Sequence, residues 1–436
     1  MKNIILASTI LLPVLASAVS ITDVVQQTIE THPQMKIKKE ERNVQNELLT
    51  SVKSGYLPSI DLSYSIGPEK TRTIANGRQD ETLTRSDMSI KLSQNVFSGF
   101  DTRYGVKQQK ALVLSASNTV QESANNLALE TVNAYINVLK SYEFLEISKE
   151  NVAVHKKYLS QIKEKVDAGV GRSSDYKQTL SRYENALSNR YLAQQNYDNA
   201  ITSYKRILPG NVTAQDLEKP SIGSLPAQDI EALFELAIKN NPTIHVSQNE
   251  IGAAKAALQR SEAPFYPTAD IVIESSWDKQ ANGVSTDAGS PNRSLYDQND
   301  ARSALLVLNY NIFNGLADKA EKEASRYRVL SKNSTLADTK RFVKANTQIA
   351  FQTFNSTKQQ LVHIDNNIES TSQTVSDYLK ENELGRRSIV DLLNIELEYN
   401  NARNSKVTAE YDNISAYYQI LSYTGKILEE MNIVVK

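Results

Sequence analysis

The sequence has no cysteine and few helix breakers. The absence of cysteine excludes disulfides. Glycine and proline number 15 and 11 among 436 residues, and neither occurs at positions 106–168 or 316–384. Runs of 63 and 69 residues without a breaker predict two long helices. At about 1.5 Å per residue, each would measure about 95–105 Å.

The chain also lacks an excess of charge and a long apolar run. Its 49 basic residues nearly balance its 50 acidic residues, which gives no case for nucleic-acid binding. No segment contains 18 consecutive apolar residues, so a transmembrane helix is excluded. Any contact with a membrane must therefore come from strands or from an amphipathic face.

The first eighteen residues have the pattern of a secretory signal peptide. Lys2 supplies the positive charge, residues 4–15 the apolar core, and residues 16–18 the small-residue cleavage site. We expect residues 1–18 to be removed, so that the mature protein begins near Val19. The absence of cysteine after that site excludes a lipid anchor there.

The rest of the chain is an internal duplication. Pro33 and Pro58 recur as Pro242 and Pro267, in both cases 209 positions later. Four later landmarks recur after 216 positions: Asn95, Gly169, Asp175 and Tyr183. This self-similarity predicts two copies of one structural plan. The first copy is expected at 19–215 and the second at 229–436, with a linker at 216–228.

Each copy contains two segments with the alternation of a strand. They are predicted at about 59–67 and 86–96 in the first copy, and at about 268–278 and 302–312 in the second. Apolar residues alternate with polar ones, as period 2 requires of a strand with one apolar face. Strands of about ten residues with one apolar face match a membrane β-barrel. Two exposed hairpins on a soluble domain would give the same pattern.

Two helices follow the strands in each copy. They are predicted at about 100–168 and 173–208, and again at about 316–384 and 388–428. Apolar residues at seven-residue spacing run along the first of them: Val138, Leu145, Val152, Leu159 and Val166. This spacing indicates a coiled-coil seam.

A four-stranded sheet in a membrane cannot remain open. Unpaired backbone groups at its two edges are not tolerated in hydrocarbon, so the sheet must close with other copies of the chain. Three chains would supply twelve strands and twelve helical staves, whereas strand counting alone also allows a dimer.

The residues resemble those of the TolC family of outer-membrane efflux and type I secretion channels. The resemblance rests on the duplication, on residues 56–58 and 265–267 before the strands, on residues 93–99, and on residues 385–394. It implies a mainly α fold with a membrane β part: a homotrimeric 12-stranded outer-membrane barrel continued by a 12-stave periplasmic α-helical barrel. It also implies a Gram-negative outer-membrane location and two partners, a periplasmic adaptor protein and an inner-membrane ABC or proton-driven transporter.

The resemblance further implies a gate at the periplasmic helix tips. Asp391 and Asn394 match the pore constriction, although the family has a second acidic residue where this chain has Asn394. Asp175 and Arg387 match a pair that locks neighbouring tip helices. A simpler interpretation is that Asp391 caps a helix, because Ser388-x-x-Asp391 resembles a capping box.

Nothing in the sequence indicates an enzyme. The four histidines are far apart and none has metal-ligand spacing, and there is no phosphate-binding glycine-rich loop. We therefore expect no catalytic residue, cofactor or metal. The predicted function is a passive exit duct of a tripartite efflux or type I secretion system. The alternative is a non-channel periplasmic or surface coiled-coil structural protein. The sequence does not identify the cargo.

Overall fold

The computed structural model describes residues 19–73, 79–279 and 298–435. The predicted signal peptide at 1–18 lies outside the described residues. Val19, the first described residue, forms a parallel bridge with Leu217, and its backbone N–H donates to the Asp216 carbonyl oxygen at 2.7 Å.

The same order of elements occurs twice along the chain. The first series is α1 Ile21–Thr31, α2 Pro33–Lys53, β1 Ser59–Thr73, β2 Gln79–Ser98, α3 Asp101–Asp167 and α4 Ser173–Ile207. The second series is α5 Ile230–Asn240, α6 Pro242–Arg260, β3 Thr268–Lys279, β4 Gln298–Asn309, α7 Ala317–Glu383 and α8 Ile389–Tyr423, followed by α9 Ile427–Glu430. Among the described residues, no helix has the length and apolarity needed to cross a membrane.

Several elements differ from their predicted bounds. β1 and β2 extend past the predicted 59–67 and 86–96, because their pairing continues to Thr73 opposite Gln79. β4 occupies positions 298–309 instead of 302–312. The helix expected at 388–428 is interrupted at Gly425, which has a left-handed φ of +69°. Its N–H donates to the Ser422 carbonyl oxygen at 3.0 Å, which closes the helix end before α9 begins.

The chain divides into two compact units, and neither coincides with a sequence repeat. One unit comprises residues up to 39 together with 118–245 and 338–436, and the other comprises 40–117 and 246–337. Each unit contains segments of both copies, since helices of one copy pack against helices of the other.

The second unit contains a four-stranded antiparallel sheet in the order β1-β2-β3-β4. The register aligns apolar residues in rows across the strands, so that Ile60 faces Leu92 and Leu92 faces Ile273. This apolar face is exposed, with 70% of Ile60 accessible. The opposite face is polar and carries the charged row Asp61, Lys91 and Glu274. In the described part of one chain, β1 and β4 each have one unpaired edge.

Helices of the same unit are joined by polar contacts to α6. The Arg260 guanidinium donates to both carboxylate oxygens of Asp101 on α3, at 2.7 and 3.1 Å. Lys332 on α7 donates to Glu250 at 2.8 Å. These contacts hold the starts of both long helices beside the strands.

The first unit contains the largest apolar core. Its fully buried side chains come from α3, α5, α8 and the terminal segments, and include Tyr135, Leu233, Tyr411 and Ile420. The Tyr135 hydroxyl lies 2.8 Å from the Val19 carbonyl oxygen and 2.6 Å from that of Glu218. It thereby fixes the N-terminal segment and the linker to α3.

Equivalent glycines after β2 and before α7 give a test of this packing. Gly99 has φ +61°, and a Cβ added there would clash with the Ala263 carbonyl oxygen. Gly315 has φ +72°, and a Cβ added there would meet no atom within 4 Å. Gly99→Ala should lower the thermal unfolding midpoint further than Gly315→Ala. At Gly315 the only cost is that of a left-handed backbone conformation in a residue with a Cβ, about 1–2 kcal/mol. Equal effects of the two substitutions would contradict this close approach.

Candidate functional site

Two turns at matching positions of the copies carry the predicted site. Gly169 follows the last turn of α3 and Gly385 follows the last turn of α7, and both glycines have φ +74°. In each turn the backbone N–H of the residue after the glycine donates to a carbonyl oxygen of the preceding helix. Val170 donates to Lys165 at 3.0 Å, and Arg386 donates to Glu381 at 2.9 Å. The same helix-ending motif is therefore formed twice.

A small apolar cluster supports these turns. Its buried members are Tyr158 and Ile162 on α3 with Ile389, Leu392 and Leu393 on α8. Tyr176 on α4 and Tyr378 on α7 pack against it. All four long helices thus contribute to one cluster, which positions the polar residues around it.

Arg387 is held by residues of its own turn. Its Nε donates to Glu381 Oε2 at 2.9 Å, and its guanidinium lies 4.1 Å from the ring centroid of Tyr378. The Asn382 side-chain amide donates to the Arg387 carbonyl oxygen at 2.7 Å. The hydrogen bond with Glu381 favours the charged guanidinium and raises the pKa of Arg387.

Asp391 serves as part of a helix cap. The Ser388 hydroxyl donates to Asp391 Oδ2 at 2.7 Å, and the Asp391 backbone N–H donates to Ser388 Oγ at 3.1 Å. The carboxylate therefore lies in the first turn of α8, where a negative charge is favourable. One turn further, Asn394 Oδ1 accepts a hydrogen bond from Arg182 of α4 at 2.7 Å.

The structure does not bring Asp175 and Arg387 together within one chain. Asp175 lies in the first turn of α4, and its Oδ1 accepts a hydrogen bond from Ser174 at 3.3 Å. No ion pair joins it to Arg387 among the described residues. The predicted pair can therefore form only after a rearrangement or between copies.

Two buried titratable groups lie near the tip, and sequence reasoning did not identify their environment. Glu396 on α8 is buried and accepts a hydrogen bond from the Tyr158 hydroxyl at 3.4 Å. Burial raises the pKa of Glu396. His155 on α3 is also buried, and burial together with the nearby Arg182 charge lowers its pKa.

The described part of the chain contains no cluster of three or more potential metal ligands. The contacts that the tip residues make are hydrogen bonds and an ion pair. Glu381 and Arg182, the actual partners of Arg387 and Asn394, were not predicted. The first lies across a turn, and the second lies on a different helix, so neither has a helical spacing in the sequence.

Comparisons with known proteins agree over almost the whole chain. The model of the family described as "Outer membrane efflux protein" matches residues 24–208 and 233–426. The outer membrane protein TolC of Escherichia coli is 21% identical over 95% of this chain and 84% of its own. The alkaline protease secretion protein AprF of Pseudomonas aeruginosa is 20% identical over 96% and 86%. The crystal structure of the Campylobacter jejuni CmeC outer membrane channel superimposes with a TM-score of 0.80 at 14% identity, covering 93% and 86%.

Buried Glu396 gives a prediction about pH. Its pKa in the folded state is raised above the ordinary value of 4.5, so ionisation costs more in the folded than in the unfolded chain. The contribution of Glu396 to the free energy of unfolding is most favourable below about pH 4.5 and declines as pH rises through the raised pKa. We expect Glu396→Gln to raise the unfolding temperature by a few degrees at pH 7 and to have little effect at pH 4.

Glu398→Gln, at an exposed position two residues further along α8, is the matched control. It should leave the unfolding temperature unchanged at both pH values. If the two variants behave alike at pH 7, burial of Glu396 does not set this pH dependence.

Proposed function

The chain belongs to the outer membrane efflux protein family, and on that premise we propose that three copies form a closed channel with a gate at its helix tips. It is an outer-membrane exit duct for efflux or type I secretion, and it is not an enzyme. Channels of this family work together with a periplasmic adaptor protein and an inner-membrane transporter.

The four-stranded sheet is the observation that supports the proposed trimer. One of its faces is apolar and exposed, and the outer edges of β1 and β4 are unpaired among the described residues. Joining β4 of one copy to β1 of the next satisfies these backbone groups in hydrocarbon. Three copies give twelve strands, which leaves a lumen, whereas two give an eight-stranded barrel that side chains fill.

The helices repeat with the same symmetry. α3, α4, α7 and α8 would supply four staves per copy and twelve per trimer. The chain brings no energy source of its own to this tube, so we assign the energy supply to an ABC or proton-driven transporter. That transporter would be connected to the tube through the adaptor.

The gate consists of the tip residues on α4, α8 and the turn before α8. Three Asp391 carboxylates would form one ring, and their caps by Ser388 hold them at one level. Asn394 adds no charge and is tied to Arg182, so the ring carries three carboxylates instead of six. Since Asp175 and Arg387 of one chain are not paired, we assign Asp175 to contact Arg387 of a neighbouring copy in the closed state.

Extraction and size measurement test the trimeric channel. The protein should remain in the outer-membrane fraction until detergent is added, run as a trimer by light scattering, and conduct ions in planar bilayers. A soluble monomer released from the periplasm would refute the channel and favour a periplasmic coiled-coil protein.

Conductance tests the gate. Asp175→Ala combined with Arg387→Ala should raise single-channel conductance at least several-fold, because the link between tips of neighbouring copies is lost. A partly exposed ion pair stabilises the closed state by only about 0–1 kcal/mol. The channel should therefore open when the pair is lost at all three tips together, as it is in a trimer of the double variant.

Glu381→Gln is the informative control for this experiment. It removes the partner of Arg387 within its own chain and leaves Asp175 in place. We expect Arg387 to keep its contact with Asp175 of the neighbouring copy, so that conductance stays low. If Glu381→Gln opens the channel as far as the double variant does, the lock is the ion pair within one chain.

A further inference from the structure

The first unit contains a long groove whose lining is unusual for this chain. Its volume is about 990 Å³, and residues of α3, α4, α7 and α8 surround it. Six of its 21 lining residues are asparagines: Asn151, Asn189, Asn196, Asn400, Asn401 and Asn404. Among the described residues, no lysine, arginine or glutamate lines it, and the one aspartate, Asp412, is paired with Lys140 at 2.9 Å.

The opposite side of α8 has the reverse character. There, six of the 11 residues around a second depression are charged: Glu143, Glu146, Lys219, Arg403, Lys406 and Glu410. At about 100° per residue, the α8 positions of the two sets lie roughly half a turn apart. On this side the linker contacts the helices through Lys219, which pairs with Glu143 and Glu410. The amide-rich side lies between α4 and α7.

Several of the groove amides are free to bind. The side-chain amides of Asn189, Asn196, Asn401 and Asn404 have no hydrogen-bond partner within the described part of the chain. A carboxamide both donates and accepts, as a peptide group does, and it carries no charge that would hold a cargo of one sign. Apolar side chains such as Phe144 and Leu397 lie between these amides.

The length of the groove sets how much of an occupant it can hold. From Leu397 to Asp412 along α8 it runs about 22 Å at 1.5 Å per residue. About six or seven extended residues fit this length.

We propose that this asparagine-lined groove faces the passage and is a contact site for an extended polypeptide, so that the cargo is an unfolded secreted polypeptide. This inference rests on the proposed function, because the groove faces a passage only if the copies form the tube. Neutral amides can form hydrogen bonds with the peptide groups of the cargo. Because they carry no charge, they should bind cationic and anionic segments equally well.

Charge variants test the contact in planar bilayers. The probes are unstructured polypeptides of positive, negative and zero net charge, and the measurement is the duration of current blockades. The unmodified channel should give similar durations for all three. Asn189→Lys with Asn401→Lys should lengthen blockades by the anionic polypeptide several-fold and shorten those by the cationic one.

Glu146→Gln with Glu410→Gln is the matched control, because it changes the charge of each chain by the same amount on the opposite face. Those positions are separated from the groove by a helix about 10 Å wide, close to the Debye length at 0.1 M salt. The durations should therefore stay unchanged. Equal effects of both pairs, or no effect of the lysine pair, would overturn the groove as the contact site.

Cross-linking gives a second measurement that does not depend on charge. Since the chain has no cysteine, Asn401→Cys introduces a single thiol. A polypeptide carrying a thiol-reactive group and arrested in the channel should cross-link to Asn401→Cys and not to Glu146→Cys. Reaction with a small thiol reagent but never with the polypeptide would refute a polypeptide cargo. A chain without ion conductance would instead refute the proposed channel.

Discussion

The unpaired backbone edges of the four-stranded sheet are the constraint on which the other features depend. Each unsatisfied backbone group costs several kcal/mol in hydrocarbon, so a sheet with an exposed apolar face is stable there only when its edges are paired. One chain leaves the outer edges of β1 and β4 open among its described residues. In the proposed trimer, copies of the chain supply the missing partners, and the helices that continue from each strand are repeated with the same symmetry.

The duplication supplies the framework, and differences between the copies supply the chemistry of the tip. Gly169 and Gly385 end equivalent helices with the same φ. The ion pair of Arg387 with Glu381 has no counterpart in the first copy, because the equivalent positions are Gly171 and Lys165. The first turn therefore cannot hold a guanidinium in this way. A gate that needs unlike tips can evolve from such a repeat without any change in the helices that carry it.

The sequence predicts features that depend on neighbouring residues. The alternation at 59–67 and the absence of breakers at 316–384 both reflect local backbone preference, and the structure has a strand and a helix there. The end of α8 at Gly425 is less evident, because one glycine in an apolar segment is also compatible with a continuous helix. The partners of Arg387 and Asn394 were missed, and the asparagine groove was missed as well. Its lining comes from positions as far apart as Ser141 and Asp412, which only tertiary packing brings together.

The neutral groove and the substitution at Asn394 are consistent with each other. Burying or concentrating charge along a passage slows any cargo of opposite sign, and three added carboxylates at a narrow ring would do so strongly. Here Asn394 replaces that charge with an amide held by Arg182, and the groove presents amides in the same manner. Six charged residues lie on the opposite face of α8, where Lys219 bridges Glu143 and Glu410 and holds the linker to the helices. In the proposed channel, charge in this unit would stabilise the wall, and the amides would contact the cargo.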